Sequence, residues 1–170
     1  MLFNYYSGDV FSSGAQVIVH QVNCMGVMGS GVARIVREKY PEVYLEYKKA
    51  VETLEGNCLG GCLLVGRIAN LFGQYYYRGY KDEYFGDEFW KQPEMDNSGR
   101  PIRFTNYEAF YNGLVRLRNI VQGRGDITTI AFPYKIGCDR GGGSWGIIES
   151  MIKEVFGKTN INIEVWKYQS

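Results

Sequence analysis

At 170 residues, the chain is long enough for one domain with a well-buried core. Its 19 Lys and Arg residues nearly balance 18 Asp and Glu residues, which excludes a strongly basic surface for nucleic acid or anionic membrane. The first six residues lack the features of a secretory signal peptide, and no stretch is long enough to cross a membrane, so we expect a cytoplasmic protein.

Four cysteines and a single histidine limit the metal and nucleophile chemistry available to this chain. Cys58 and Cys62 have the spacing of half a zinc site, but no second half follows, so we predict no metal and no cofactor. Cys24 and Cys138 lie in glycine-rich segments. A cysteine nucleophile would need His20 as its base, which is the less favoured interpretation.

The first half of the chain predicts two strands, two helices and two further strands. A short strand over 2–6 precedes a continuous apolar run over 16–22, which is typical of a strand buried on both faces. A helix then ends at Pro41, which begins a second helix with its own apolar stripe. Apolar segments at 62–65 and 68–72 predict two successive strands.

Residues 75–103, called here the aromatic segment, combine many tyrosines with aspartate, glycine and proline and show no sustained period. A stretch of this length without regular structure is usually a lid, a partner surface or a disordered segment. Its aromatic content argues against disorder. We therefore predict an ordered insertion beside the ligand site; the alternative is a side hairpin without a functional role.

The second half predicts a long helix, a strand, a shorter helix and a last strand. Thr105 is expected to cap the long helix, with Glu108 completing a capping box. Strands over 127–132 and 161–168 flank a helix over 145–156. This alternation of strands and helices predicts an α/β fold, a three-layer α/β/α sandwich with a mixed central sheet.

Two glycine-rich loops carry the strongest functional signal. The first loop, residues 23–31, follows the buried strand over 16–22, and the second loop, residues 136–144, follows the strand over 127–132. Each leads into a helix, so backbone N–H groups and a helix N-terminus point to one spot, which suits an anion. Neither has the spacing of a P-loop or a Rossmann motif. Together they predict a ligand with two phosphates or one pyrophosphate.

Polar side chains near these loops are candidates for chemistry. His20 and Asn23 lie at the carboxyl end of a strand, where open α/β sheets bind ligands, and His20 suits proton transfer unless it is a satisfied core histidine. A carboxylate beside bound phosphates is electrostatically unfavourable, so Asp139 should have a use there: it could orient or deprotonate a water or hold a ribose hydroxyl. The alternative is a solvated turn residue. Arg140 either counters phosphate charge or is a surface arginine. Asp9 either accepts from an exocyclic amine such as that of adenine or belongs to a simple turn.

Taken together, these motifs resemble a macrodomain over nearly the whole chain except the aromatic segment. The resemblance implies a single domain over 1–170 that binds ADP-ribose or a derivative. The ligand-binding residues that it implies are Asp9, Val10, Gly26, Val27, Met28, Gly29, Ser30, Gly31, Val32, Phe72, Gly73, Gln74, Ile136, Gly137, Cys138, Asp139, Arg140, Gly141 and Gly142.

Within that family, the chain is most similar to the branch with the fungal ADP-ribose-1″-phosphate phosphatase and the terminal ADP-ribose glycohydrolase. His20 matches a histidine of the phosphatases. Asp139 matches an aspartate that the glycohydrolases, including antitoxins that remove ADP-ribose from DNA, pair with a lysine. That lysine is expected just after 70–72, where this chain has none before Lys81.

The resemblance therefore implies a hydrolase that converts ADP-ribose-1″-phosphate to ADP-ribose and phosphate, with His20, Asn23 and Asp139 as catalytic residues. One alternative is an ADP-ribosyl hydrolase that acts on modified protein or nucleic acid. The other is a non-catalytic sensor of free or cyclic ADP-ribose. The expected partners are a small ADP-ribose derivative or an ADP-ribosylated macromolecule, and the expected state is a monomer.

Overall fold

The computed structural model describes residues 1–80 and 85–168, and its elements follow the predicted order. The strands are β1 (Phe3–Ser7), β2 (Val17–Val22), β3 (Cys62–Val65), β4 (Ile68–Phe72), β5 (Glu94–Met95), β6 (Pro101–Arg103), β7 (Thr129–Pro133) and β8 (Asn162–Lys167). The α-helices are α1 (Gly31–Lys39), α2 (Pro41–Thr53), α3 (Tyr107–Gln122) and α4 (Trp145–Phe156). Among these strands and α-helices of the described residues, the short β5 and β6 were not predicted; two 3₁₀ helices, Val10–Ser12 and Phe89–Lys91, were not predicted either.

Six strands form one mixed sheet in the order β1-β8-β7-β2-β4-β3. All neighbouring pairs are parallel except β3 with β4, which pair antiparallel. Because the parallel strands end at the same edge, the first loop after β2, the second loop after β7 and the chain after β4 all leave the sheet there. Open α/β sheets bind ligands at this edge.

Helices cover both faces of the sheet. On one face α3 and α4 bury Phe110 and Ile148 against the apolar side chains of β2, β4, β7 and β8. On the other face α1 and α2 bury Val36 and Tyr47. Pro41 occupies the first position of α2, as predicted, because a proline there loses no helical hydrogen bond. The architecture is the predicted α/β/α sandwich.

The start of α3 differs from the prediction. Asn106 is the N-cap, and its side-chain oxygen accepts a hydrogen bond from the N–H of Ala109 at 3.0 Å. Thr105 is buried instead, and its hydroxyl donates to the carbonyl oxygen of Gly137 at 2.7 Å. The predicted Thr105–Glu108 capping box is wrong because a tertiary contact with the second loop takes the threonine hydroxyl.

The described part of the aromatic segment packs around a cluster of rings. The ring of Tyr76 lies 5.1 Å from those of Tyr80 and Phe85, measured between centroids, and Phe85 lies 5.9 Å from Phe104. The strands β5 and β6 then form a small separate hairpin. Lys81, the lysine considered in the sequence analysis, lies outside the described residues.

Candidate functional site

A cavity of about 410 Å³ lies between the first and second loops at the carboxyl edge of the sheet. Val27 and Ser30 line it from the first loop, and Ile136 and Asp139 line it from the second. The two loops therefore converge on one space, which is the arrangement that the sequence analysis expects. Its volume is in the range of small-molecule sites.

Many of the predicted site residues line this cavity, and others do not. Those in its lining are His20, Asn23, Val27, Gly29, Ser30, Gly31, Val32, Gln74, Ile136, Gly137, Asp139, Arg140 and Gly141. Those outside it are Asp9, Val10, Gly26, Met28, Phe72, Gly73, Cys138 and Gly142. Lining residues that the prediction omits are Gln21, Val22, Ala33, Tyr77, Arg78, Gly79, Pro133, Tyr134 and Lys135.

The N-terminus of α1 opens into the cavity. Gly31 and Val32, the first two residues of this helix, belong to the lining, and the N-cap Ser30 makes no capping bond with its side chain. No acidic residue lies in the first turn. The free N–H groups and the positive end of the helix dipole are therefore available to an anion. The start of α4 likewise has no side-chain cap and no acidic residue in its first turn, and the N–H of its N-cap Ser144 donates to the hydroxyl of Tyr107 at 2.9 Å.

His20 is buried at the base of the cavity and is uncharged at neutral pH. Its Nε2 lies 2.6 Å from Oδ1 of Asn70, its neighbour across β2 and β4. The Asn70 amide group itself donates to the carbonyl oxygen of Leu63, so Oδ1 accepts and His20 Nε2 carries the proton. Nδ1 is buried without a hydrogen-bond partner among the described groups. Burial lowers the pKa of His20 to about 4, although the Asn70 bond opposes this shift.

The low pKa of His20 predicts acid sensitivity. The pKa in the folded state, about 4, lies below the ordinary 6.5, so the stabilisation is complete above pH 6.5 and is lost as the pH falls towards 4. Between pH 7 and pH 5 the free energy of unfolding should fall by about 2 kcal/mol through this residue. Because it is the only histidine, one imidazole signal in an NMR titration reports on it directly. A midpoint near 6.5 in the folded protein would contradict the prediction.

Asn23 organises the first loop with its side chain. Its Oδ1 accepts from the N–H groups of Met25 at 3.0 Å and Val27 at 3.4 Å, and from the hydroxyl of Tyr47 at 2.8 Å. Its Nδ2 donates to the carbonyl oxygen of Val27 at 2.8 Å. The Asn23 side chain thus stabilises the conformation of the loop. The second hydrogen of its Nδ2 can donate to a ligand.

Gln21 joins the second loop to three other parts of the fold. Its Nε2 donates to Oε1 of Gln74 at 2.6 Å and to Oγ1 of Thr105 at 2.9 Å. Thr105 in turn donates to the carbonyl oxygen of Gly137. This network connects β2, the end of β4 and the residues before α3 to the second loop, and so fixes one wall of the cavity.

Arg78 and Arg140 form a reciprocal pair that we call the arginine clasp. Arg78 Nε donates to the carbonyl oxygen of Arg140 at 2.9 Å, and Arg140 Nη2 donates to the carbonyl oxygen of Arg78 at 2.7 Å. The two terminal nitrogens of Arg78 also lie within 3.5 Å of the carbonyl oxygens of Pro101 and Ile102. The clasp binds the start of the aromatic segment to the second loop, beside the cavity.

Two charged residues of the cavity lining have no hydrogen-bond or ion-pair partner among the described residues. Asp139 and Lys135 are exposed, and neither side chain makes a hydrogen bond or an ion pair with the described residues. Both follow β7, at the edge of the sheet where ligands bind. That position could have indicated Lys135 from the sequence. Tyr77, Arg78 and Gly79 belong to the aromatic segment that we expected beside the ligand site, but no pattern singled them out as individual residues.

The other candidate groups are committed elsewhere. Asp9 caps a short 3₁₀ helix, where its Oδ1 accepts from the N–H of Phe11 at 2.9 Å. A hydrogen bond with Cys58 and burial raise the pKa of Cys24, and burial raises the pKa of Cys138 to about 11. These thiols are therefore protonated and poor nucleophiles. Within the described residues, no group of three or more His, Cys, Asp or Glu could hold a metal ion.

The comparisons with known proteins agree with this geometry. Over 97% of both chains, the structure matches the "Macrodomain of Mycobacterium tuberculosis DarG" with a TM-score of 0.75 and 22% sequence identity. The chain therefore has the macrodomain fold. No protein-family model matches it. Across 1–80 and 85–168, no helix has the length and apolar character needed to span a membrane.

Two kinds of curated protein are similar in sequence. A "DNA ADP-ribosyl glycohydrolase" from Mycobacterium tuberculosis is 26% identical over 155 residues, which cover 91% of this chain. An "ADP-ribose 1″-phosphate phosphatase" from Saccharomyces cerevisiae is 31% identical over 68 residues, which cover 39% of it. The matches span 39% and 38% of the length of these relatives. Both relatives are named as hydrolases of ADP-ribose derivatives.

Proposed function

We propose that this chain is a hydrolase of ADP-ribose derivatives, with ADP-ribose-1″-phosphate as its first candidate substrate and ADP-ribose and phosphate as its products. The observation that carries the proposal is that both glycine-rich loops and the N-terminus of α1 line one cavity together with the Asp139 carboxylate, which makes no hydrogen bond or ion pair with the described residues. The macrodomain fold and the names of the curated relatives support the same class of ligand.

In this proposal, the first loop and the N-terminus of α1 bind the pyrophosphate through backbone N–H groups. These groups are already in place before the ligand arrives, so they stabilise the negative charge without reorganisation. The second loop supplies Asp139 beside the distal ribose. Its carboxylate orients a water that attacks the phosphorus and accepts a proton from it. As the bond between the phosphorus and the ribose oxygen breaks, that proton passes from the carboxyl group to the ribose oxygen, which gives ADP-ribose and phosphate.

In this proposal, His20 and Asn23 have smaller roles than the catalytic ones that the family resemblance implies. At neutral pH His20 offers only the lone pair of Nδ1, since Nε2–H is held by Asn70. We propose that it accepts a hydrogen bond within the site and does not shuttle a proton. Asn23 shapes the first loop and contacts the ribose through the remaining hydrogen of Nδ2.

A second candidate is removal of ADP-ribose from a modified nucleic acid. The length of the match to the DNA ADP-ribosyl glycohydrolase, 91% of this chain, favours it. The same loops and the same carboxylate would serve this reaction, which breaks the bond between the distal ribose and a base. The two candidates therefore differ in the leaving group and not in the ADP-ribose site.

One experiment tests both candidates. Calorimetric titration with ADP-ribose should give saturable binding, and the protein should then be incubated with ADP-ribose-1″-phosphate, ADP-ribosylated DNA and ADP-ribosylated protein. NMR and mass spectrometry identify the products. Release of phosphate from ADP-ribose-1″-phosphate supports the first candidate, and removal of ADP-ribose from the modified DNA supports the second. Tight binding without any product would select a sensor, and no heat with ADP-ribose would refute the binding site itself.

A further inference from the structure

The cavity lining includes a lysine, Lys135, that has no role in the predicted site or in the proposed reaction. We propose that Lys135 is a further ligand-binding residue, whose ammonium group contacts a phosphate of the bound nucleotide. The inference rests on the proposed function, because it takes a phosphate-bearing ligand as given. In this inference a side chain binds the charge of the ligand, whereas the loops bind it through backbone N–H groups.

The backbone of Lys135 adopts an uncommon conformation. Its φ is +61°, in the left-handed region that disfavours residues with a β-carbon. In the described part of the chain, Glu55 is the other non-glycine residue with positive φ. Conformations of this kind concentrate at ligand sites, where the surrounding structure imposes them. Here the loop turns directly after β7 and places a lysine in the cavity lining.

The other cations of the lining are engaged by protein groups. Arg78 donates to three carbonyl oxygens, and Arg140 donates to the carbonyl oxygen of Arg78. Lys135, just before the second loop, makes no hydrogen bond and no ion pair with the described residues, and Asp139 of that loop does not pair with it. The Nζ atom of Lys135 lies 5.6 Å from the centroid of the Tyr134 ring. The ammonium group is thus free to bind an anion.

Lys167 provides a matched control. Its Nζ lies 4.9 Å from the centroid of the same Tyr134 ring, but Lys167 does not line the cavity. Removing either charge changes the net charge of the protein equally. A general electrostatic effect would therefore appear in both variants, whereas a direct contact with the ligand would appear only at position 135.

The test compares Lys135→Met, Lys135→Gly and Lys167→Met with the unmodified protein by calorimetry at several salt concentrations. The ligands are ADP-ribose and ADP-ribose-1″-phosphate. If the protein hydrolyses ADP-ribose-1″-phosphate, each variant is also made with Asp139→Asn so that binding of this ligand can be measured without turnover. We expect both Lys135 variants to lose about 10- to 100-fold in affinity, the range for one charge-assisted hydrogen bond. Their affinities should also depend less on salt. Lys167→Met should behave as the unmodified protein.

Lys135→Gly separates the side chain from the backbone, because glycine keeps the left-handed conformation without strain. If Lys135→Gly retains full affinity, or if Lys135→Met and Lys167→Met bind equally, the inference is wrong. An equal loss with both ligands assigns the contact to the pyrophosphate, and a larger loss with ADP-ribose-1″-phosphate assigns it to the terminal phosphate. Failure of the unmodified protein to bind ADP-ribose would instead refute the proposed function.

Discussion

Replacing Asp139 with asparagine is expected to lower the rate of phosphate release from ADP-ribose-1″-phosphate by about 10²- to 10⁴-fold, the usual contribution of a general base. The affinity for ADP-ribose should change little. The reason is that an amide has nearly the size of the carboxylate but cannot accept a proton from water. The Asp139 carboxylate makes no hydrogen bond with the described residues, so the substitution should not change the stability of the fold. Phosphate release and calorimetry measure the two effects separately.

A matched control for this substitution is Asp126→Asn. Asp126 pairs with Arg124 at 2.9 Å on the surface, just before β7 and thus at the opposite edge of the sheet from the cavity. It should leave both turnover and affinity unchanged. If Asp139→Asn turns over substrate as fast as this control, Asp139 has no part in the chemistry. If it also loses affinity by the same factor as turnover, its role is in binding.

Gly142→Ala is expected to have the largest effect on stability, lowering the free energy of unfolding by about 2 to 4 kcal/mol. Gly142 has a φ of +72°, which is unfavourable for alanine, and an added β-carbon would collide with the carbonyl oxygen of Ile102 and lie 3.0 Å from the Cα of Arg103. Both contacts are with backbone, so no side chain can rotate away. For a domain of this size, the midpoint of thermal unfolding should fall by about 5 to 15 °C.

Gly66→Ala separates the two causes of that loss. Gly66 also has a positive φ, +58°, but a β-carbon there would meet no atom within 4 Å. This variant should lose only the conformational part, about 1 kcal/mol. Equal losses in the two variants would mean that the second loop moves away from β6 at no cost, and that the close approach of the two backbones is unimportant.

The sequence indicated most of the fold because its strongest patterns are local. The continuous apolar run before the first loop and the helical stripes around Pro41 depend on neighbouring residues alone, and the structure has elements there. The predicted bounds of β3, β4 and α4 coincide with the observed ones. Those of β1, β2, β7 and β8 differ by one or two residues, since strand ends depend on how the chain packs. The β5–β6 hairpin was missed because two- and three-residue strands carry no period.

The candidate site was predicted only where it coincides with such patterns. Glycine-rich residues after a buried strand identified the two loops. Thr105 looked like a helix cap, but its hydroxyl bonds to the second loop, 32 residues further along the chain. Arg78 lies in the aromatic segment expected beside the ligand site, but no local pattern singled it out, because its partner Arg140 is 62 residues away. His20 looked like a proton carrier, and its burial against Asn70 lowers its pKa.

From the residues alone, two strand–loop–helix units could be predicted, each with a glycine-rich turn between its strand and its helix. That these turns share one cavity depends on long-range packing, because they converge only when β2 and β7 lie side by side in a parallel sheet. The packing also determines which polar side chains are engaged. Hydrogen bonds between distant residues engage Arg78, Arg140 and Asn23, whereas the side chains of Asp139 and Lys135 make no hydrogen bond or ion pair with the described residues.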